Sequence, residues 1–145
     1  MKKIVAVMAV LMVSVFMLNP SLFCQEKPAA VSNRIIEEKR AELNNTQWVI
    51  EILPLGEKGK PEGDVLSFSE NKVSSKNLAA AGFEPTEFRL SVKDDGTVVW
   101  EAMQRSEKGD VMLWRGDILG GVMSGVLNRR DENGKVIDFS FVGKR

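Results

Sequence analysis

Adjacent carboxylates stand at Asp94-Asp95 and at Asp131-Glu132. Two carboxyl groups can divide the acid and base roles at a glycosidic bond, and their oxygens are the kind that hold calcium. Both pairs, however, fall in segments that read as tight turns. There solvent keeps a carboxyl close to its ordinary acidity, which suits it poorly to moving protons near neutral pH. Neither pair follows the spacing of a helix-loop-helix calcium loop. The chain contains no histidine and no tyrosine, and its one cysteine is Cys24. Ser-His-Asp and Cys-His catalysis and a conventional zinc site therefore lack their residues. No glycine-rich loop leads from a strand into a helix to cradle phosphate. The expectation is a protein that is not an enzyme and that uses no cofactor and no metal.

The remaining residues with a strong chemical preference are aromatic. Trp48, Phe88, Trp100, Trp114, Phe139 and Phe141 all fall on one parity of alternating segments, so they share an interior and are the candidate contacts for a small apolar ligand. Ordinary core packing is the competing use of the same rings. The small residues Ala102, Gly116, Ser124 and Gly125 either leave room for a pocket among them or merely let strands bend. Arg89, Arg105 and Arg115 are placed near a rim.

Positioning those rings falls to a series of short strands. From Thr46 the apolar period is two: Trp48, Ile50 and Ile52 alternate with Gln47, Val49 and Glu51, and Ile137, Phe139 and Phe141 with Asp138 and Ser140. Strands are expected over 46–53, 64–69, 72–76, 86–93, 97–104, 110–118, 121–129 and 135–143. Between them, Asp94-Asp95-Gly96, Glu107-Lys108-Gly109-Asp110, Gly120-Gly121 and Asn133-Gly134 supply residues that tolerate positive φ in tight hairpins. A helical turn is expected over 77–81. The stretch from Pro54 to Gly63, rich in glycine, proline and charge, reads as the longest connection, a rim or lid. Consecutive strands joined this closely are antiparallel neighbours, and eight of them can close on themselves and so abolish exposed edges. The fold class is all-β, an eight-stranded antiparallel up-and-down barrel over 46–145, with an open sandwich as the competitor. The likeness of 111–116 to 122–127 is an echo that a meander generates without a repeat unit.

The first 24 residues read as a secretory signal peptide. Lys2 and Lys3 precede an uncharged apolar stretch from Ile4 to Leu18, which Asn19 and Pro20 end. That stretch is shorter than the roughly 18 to 20 residues a membrane-spanning helix needs, so no stable span is expected after cleavage. Cleavage after Cys24 and cleavage near Ala29 or Ala30 both remain open. Lipid attachment at Cys24 is not expected, because Phe23 stands where a small residue belongs. Residues 25–45 read as a polar linker followed by a short helix, capped by Ser32 or Asn33 and carrying Ile35, Ile36 and Leu43 on a thin apolar stripe. Lys plus Arg and Asp plus Glu number 20 each, and loss of Lys2 and Lys3 tips the balance slightly acidic. No basic surplus exists to bind nucleic acid. The expected location is periplasmic or secreted.

Leu43-Asn44-Asn45-Thr46-Gln47-Trp48, followed by the meander, resembles the opening of calycin-type barrels, the lipocalin and avidin group. In lipocalins a tryptophan on the first strand closes one end of the barrel, with a glycine two residues before it; here that position is Thr46. The resemblance implies a basic residue near the end of the last strand packed over the tryptophan, for which Lys144 and Arg145 are the candidates. By that analogy the expected function is an exported carrier of a small apolar molecule. The alternative, of a different class, is a solid barrel acting through its surface on an envelope or secreted protein, as an interaction or inhibitor module.

Overall fold

The computed structural model describes residues 28–56 and 59–145; the signal segment and Cys24 lie outside the described residues, as do Glu57 and Lys58 in the first long loop. The chain runs α1 (Pro28–Leu43), β1 (Thr46–Pro54), β2 (Glu62–Ser69), β3 (Lys72–Ser75), α2 (Lys76–Ala80), β4 (Thr86–Val92), β5 (Val98–Arg105), β6 (Val111–Leu119), β7 (Val122–Arg130) and β8 (Val136–Lys144). The eight strands form a closed barrel in sequence order. Every neighbouring pair is antiparallel, and β1 closes on β8 from Val49↔Lys144 to Pro54↔Phe139.

The alternation in the sequence is what selects inside from outside. Along β1, Trp48 and Ile50 are buried while Gln47, Val49 and Glu51 are exposed. The interior set continues through Leu66, Phe68, Phe88, Leu90, Val98, Trp100, Met112, Trp114, Met123, Leu127 and Phe141, as parity requires. Ile137 and Phe139, at the β8 end away from α1, are half-buried. Leu43, Val73 and Phe83 join the core from outside the longer strands. Val99 is also buried, although it sits on the outward parity of β5, opposite Ser91 and Asp117.

α1 starts earlier than Ser32. Pro28 suits a first helical turn, where its missing N–H costs nothing, and the alanines after it are strong helix formers. The helix ends where Asn45 takes a left-handed φ of 62°, a common helix stop. The Thr46 hydroxyl then donates to the Leu43 carbonyl at 2.6 Å and accepts from the Trp48 indole N–H at 3.1 Å. This relay ties the end of the helix to the first inward ring of the barrel.

One seam of the barrel is short. β3 and β4 share two residue pairs, Lys72↔Glu87 and Val73↔Thr86, with one further bond from the Phe88 N–H to the Asn71 carbonyl at 3.4 Å. The two helices fill the space at either end of this seam: α2 packs on β2 and β3, and α1 packs on β4. Asp64, buried within β2, holds α2 in place. Its carboxylate accepts from the Asn77 N–H at 3.0 Å, the Val65 N–H at 2.7 Å and the Ser75 hydroxyl, while Ser75 caps the helix by accepting from Leu78 N–H at 3.0 Å. These bonds satisfy the first free N–H groups of the helix, the usual weakness of a helix start.

Candidate functional site

Phe88, Trp100, Trp114 and Phe141, nominated from sequence, meet with Phe68 in one ring cluster centred on Trp100. Phe68 makes edge contacts with Phe88 at 5.3 Å and with Trp100 at 5.1 Å between centroids. Trp100 lies near-parallel to Trp114 at 6.1 Å and tilted against Phe141 at 6.2 Å, and Trp114 meets Phe141 edge-on at 5.4 Å. All of these spacings lie within the range over which aromatic pairs attract. Trp48 stands apart, at the α1 end of the barrel. Phe139 lies at the opposite end, in register with Pro54 and Leu127.

The glycines decide how much room that cluster leaves. Gly116 and Gly125 face each other across β6 and β7. A methyl added at Gly116 would overlap the Trp100 indole, and one at Gly125 would overlap both the Phe141 ring and the Arg115 carbonyl. The missing side chains are therefore replaced by rings from neighbouring strands, and Trp100 is fully buried over Gly116. Ser124 points outward and is exposed, and Ala102 packs against the core. Each large depression found lies on the wall or at an end. One of about 560 Å³ lies along β4 to β7, lined by Arg89, Glu101, Met103, Leu113 and Arg115 on the outward parity and by Phe88, Ala102 and Trp114 on the inward one. A second, of about 250 Å³, lies between α1 and the hairpins at its end of the barrel, where Trp48, Ile118, Leu119 and Arg145 share its lining.

Two buried polar features were not evident from the sequence. Gln104 sits on the inward parity of β5, accepts from the Trp114 indole N–H at 2.9 Å and donates to the Glu84 carbonyl at 3.0 Å. It thereby fixes both a core ring and the segment entering β4. Its only sequence signal is a polar residue in register with Trp100 and Ala102. Asp64 had the same kind of signal, an acidic residue on the inward parity of β2. Among the described residues, the Trp100 indole N–H is the one buried side-chain polar atom without a partner.

The carboxylate pairs are turn residues. Lys93 N–H bonds to Thr97 O and Gly96 N–H to Lys93 O in the first hairpin, and Asp131 with Lys135 and Gly134 repeats the arrangement in the last. The Asp95 carboxylate accepts the Thr97 N–H at 2.9 Å. That backbone hydrogen bond, with help from the Thr97 hydroxyl and from Lys93, holds the Asp95 carboxyl below its ordinary range. Asp131 accepts from the N–H groups of Asn133 and Lys135. Asp95 and Asp131 each use one carboxylate oxygen to close their turn, and no group of acidic residues able to hold a metal ion exists among the described residues. Arg115 pairs with Glu101 at 2.6 Å on the outer wall. Arg89 is the next residue in that cross-strand row, and Arg105 lies at the end of β5 away from α1.

The outer wall carries a diagonal of apolar side chains. Leu53, Val142, Val126, Leu113 and Met103 are each 40% to 48% exposed. They come from β1, β8, β7, β6 and β5 in turn; the first three steps are diagonal in the paired registers, and Leu113 and Met103 stand directly opposite each other. Diagonal neighbours on one face of a sheet lie within reach of each other, so the row forms a continuous band beside the Arg115–Glu101 pair. Comparison of the chain with protein-family models, with curated proteins and with solved structures finds no match. Among the described residues, no helix is long and apolar enough to cross a membrane.

Proposed function

We propose that this domain is an exported, non-enzymatic β-barrel that works through its outer surface, as a protein-interaction module, and does not enclose a small apolar molecule. The observation that carries this reading is the pair of glycines at Gly116 and Gly125, whose space is taken by Trp100 and Phe141. An eight-stranded barrel has room either for its own side chains or for one small ligand, and here the side chains use the room. The apolar band on the wall supports the second half of the reading, since exposed apolar surface that is contiguous marks contact sites more often than scattered residues do.

A lipocalin-like ancestry belongs to the same proposal. The closed meander is compatible with it, and Trp48 and Arg145 line the same depression at the α1 end. In-situ cross-linking in the producing cell tests the functional reading. The exported protein should yield a discrete cross-linked partner that is lost on Val126→Glu or Leu113→Glu, with thermal stability unchanged. A stoichiometric small molecule extracted from the purified protein, with cross-links indifferent to both substitutions, would sink it.

A further inference from the structure

The short β3–β4 seam leaves part of a strand edge without a strand partner. Lys93 N–H bonds to the Thr97 carbonyl, so by alternation Arg89 and Ser91 also point their backbone groups at β5. Phe88, Leu90 and Val92 point theirs the other way, toward β3. Phe88 is served on that side by Asn71 through its N–H and by Arg40 Nη1 through its carbonyl at 3.3 Å. β3 does not reach Leu90 or Val92. A free edge of this kind is a template for an added strand, and natural proteins commonly cover one with a helix.

α1 is that cover, and it is lightly held. Leu43, in its last turn, is its one buried side chain among those described; Val31, Ile36, Lys39 and Arg40 are half-buried and the others from Ala30 to Glu42 are exposed. The Arg40 guanidinium sits 5.4 Å from the centre of the Phe88 ring, and an open depression of about 320 Å³ lies between helix and strand beside these two residues. Among the described residues of α1, Leu43 is the buried anchor in the barrel mouth, and the contact with β4 rests on Arg40 against Phe88.

We propose that the β4 edge at Leu90 and Val92 is a strand-addition site, covered at rest by α1, that takes an extended peptide segment with acidic side chains facing Arg89 and Lys93. The inference rests on the reading that the domain acts through its surface, but it names a different surface from the apolar band. A second copy of this chain is disfavoured as the occupant. Antiparallel pairing of two β4 edges about Ser91 would set Arg89 against Lys93, and like charges directly opposite destabilise a sheet. A strand bearing glutamate or aspartate at those positions meets both cations instead. Among the described residues Arg89 makes no ion pair, whereas Lys93 already holds Asp117 at 2.6 Å, so Arg89 is the stronger determinant. Main-chain bonds would supply the affinity and the alternate side chains the choice of partner.

Amide hydrogen exchange on the full chain tests this with two synthetic probes, a peptide alternating valine with glutamate and one alternating valine with lysine. In the free protein, Leu90 and Val92 amides should exchange at least ~10-fold faster than those of Arg89 and Ser91, as local opening would allow. The glutamate peptide should slow both at least ~10-fold while the lysine peptide leaves them unchanged. Arg89→Gln, an exposed change that sets no like charge opposite Glu101, should weaken that preference, and Arg40→Ala should tighten binding by loosening the cover. Leu90 and Val92 amides protected like their neighbours in the free protein, or exchange unaffected by either peptide, would overturn the proposal. If that happens while Val126→Glu still abolishes the cross-linked partner, the outer-wall reading survives without it.

Discussion

Gly116 is the position at which the interior is least forgiving. A methyl there would press on the Trp100 indole, a ring that Phe68, Trp114 and Phe141 hold from other directions. Gly116→Ala should therefore lower stability by about 1 to 3 kcal/mol in chemical denaturation, the usual cost of overfilling a packed core. Gly63→Ala is the control, since a methyl there meets nothing within 4 Å; its denaturation midpoint should correspond to within ~0.5 kcal/mol of the parent. Equal losses at both sites would mean that Trp100 can move aside and that the barrel has slack. Asp64→Ala strands buried donors at Ser75 and at the start of α2, and should cost about 1 to 3 kcal/mol. The inward rings were legible in the sequence because strand parity is local. The reason Gly116 is glycine was not, because the ring that fills its place comes from β5, one strand over.

Turns show how much of an element's energy is local. Asp95 closes the β4–β5 hairpin as an acceptor for Thr97 N–H, and its carboxyl is held below the ordinary range. A carboxyl depressed in this way contributes stability that is present above its unfolded value, near pH ~3.9, and is lost as the pH falls through the folded value. Asp95→Asn keeps an oxygen acceptor but cannot ionise. The gap in denaturation midpoint between parent and variant should be open above pH ~4, close on further acidification, and narrow in high salt because the group is exposed. A gap independent of pH would remove the charge from the explanation. At the other hairpins the sequence placed the turns correctly, since glycine and asparagine in tight loops declare positive φ on their own. It placed the start of α1 too late, because the cap-like Ser32 and Asn33 drew the boundary that Pro28 already supplies. The β3–β4 seam was not legible at all: its length depends on how far β3 runs before α2 begins, and on a register set by distant pairings. Leu43→Ala addresses α1 itself. Removing its one buried anchor should cost about 2 to 5 kcal/mol, measured by thermal or chemical unfolding, and a cost near zero would show that the barrel mouth does not depend on the helix.

With no disulfide available to the barrel segment, whose residues include no cysteine, stability rests on closure and on a filled centre. Closure itself could be anticipated, because strands with short antiparallel links and no helical crossover have few alternatives. Whether the closed wall would be hollow could not, since the same aromatic residues line a pocket or fill it according to how their rings meet. The pairwise contacts from Phe88 through Phe68 to Trp100, Trp114 and Phe141 favour filling, and that is the premise on which an outward-acting module stands. The decisive experiment is titration of the purified protein with medium-chain fatty acids and 1-anilinonaphthalene-8-sulfonate, read by tryptophan emission and native mass spectrometry. A filled barrel predicts no stoichiometric complex and an emission spectrum that does not change. A stoichiometric complex that shifts or quenches the buried tryptophans would show that a ligand enters among Trp100 and Trp114, and would contradict it.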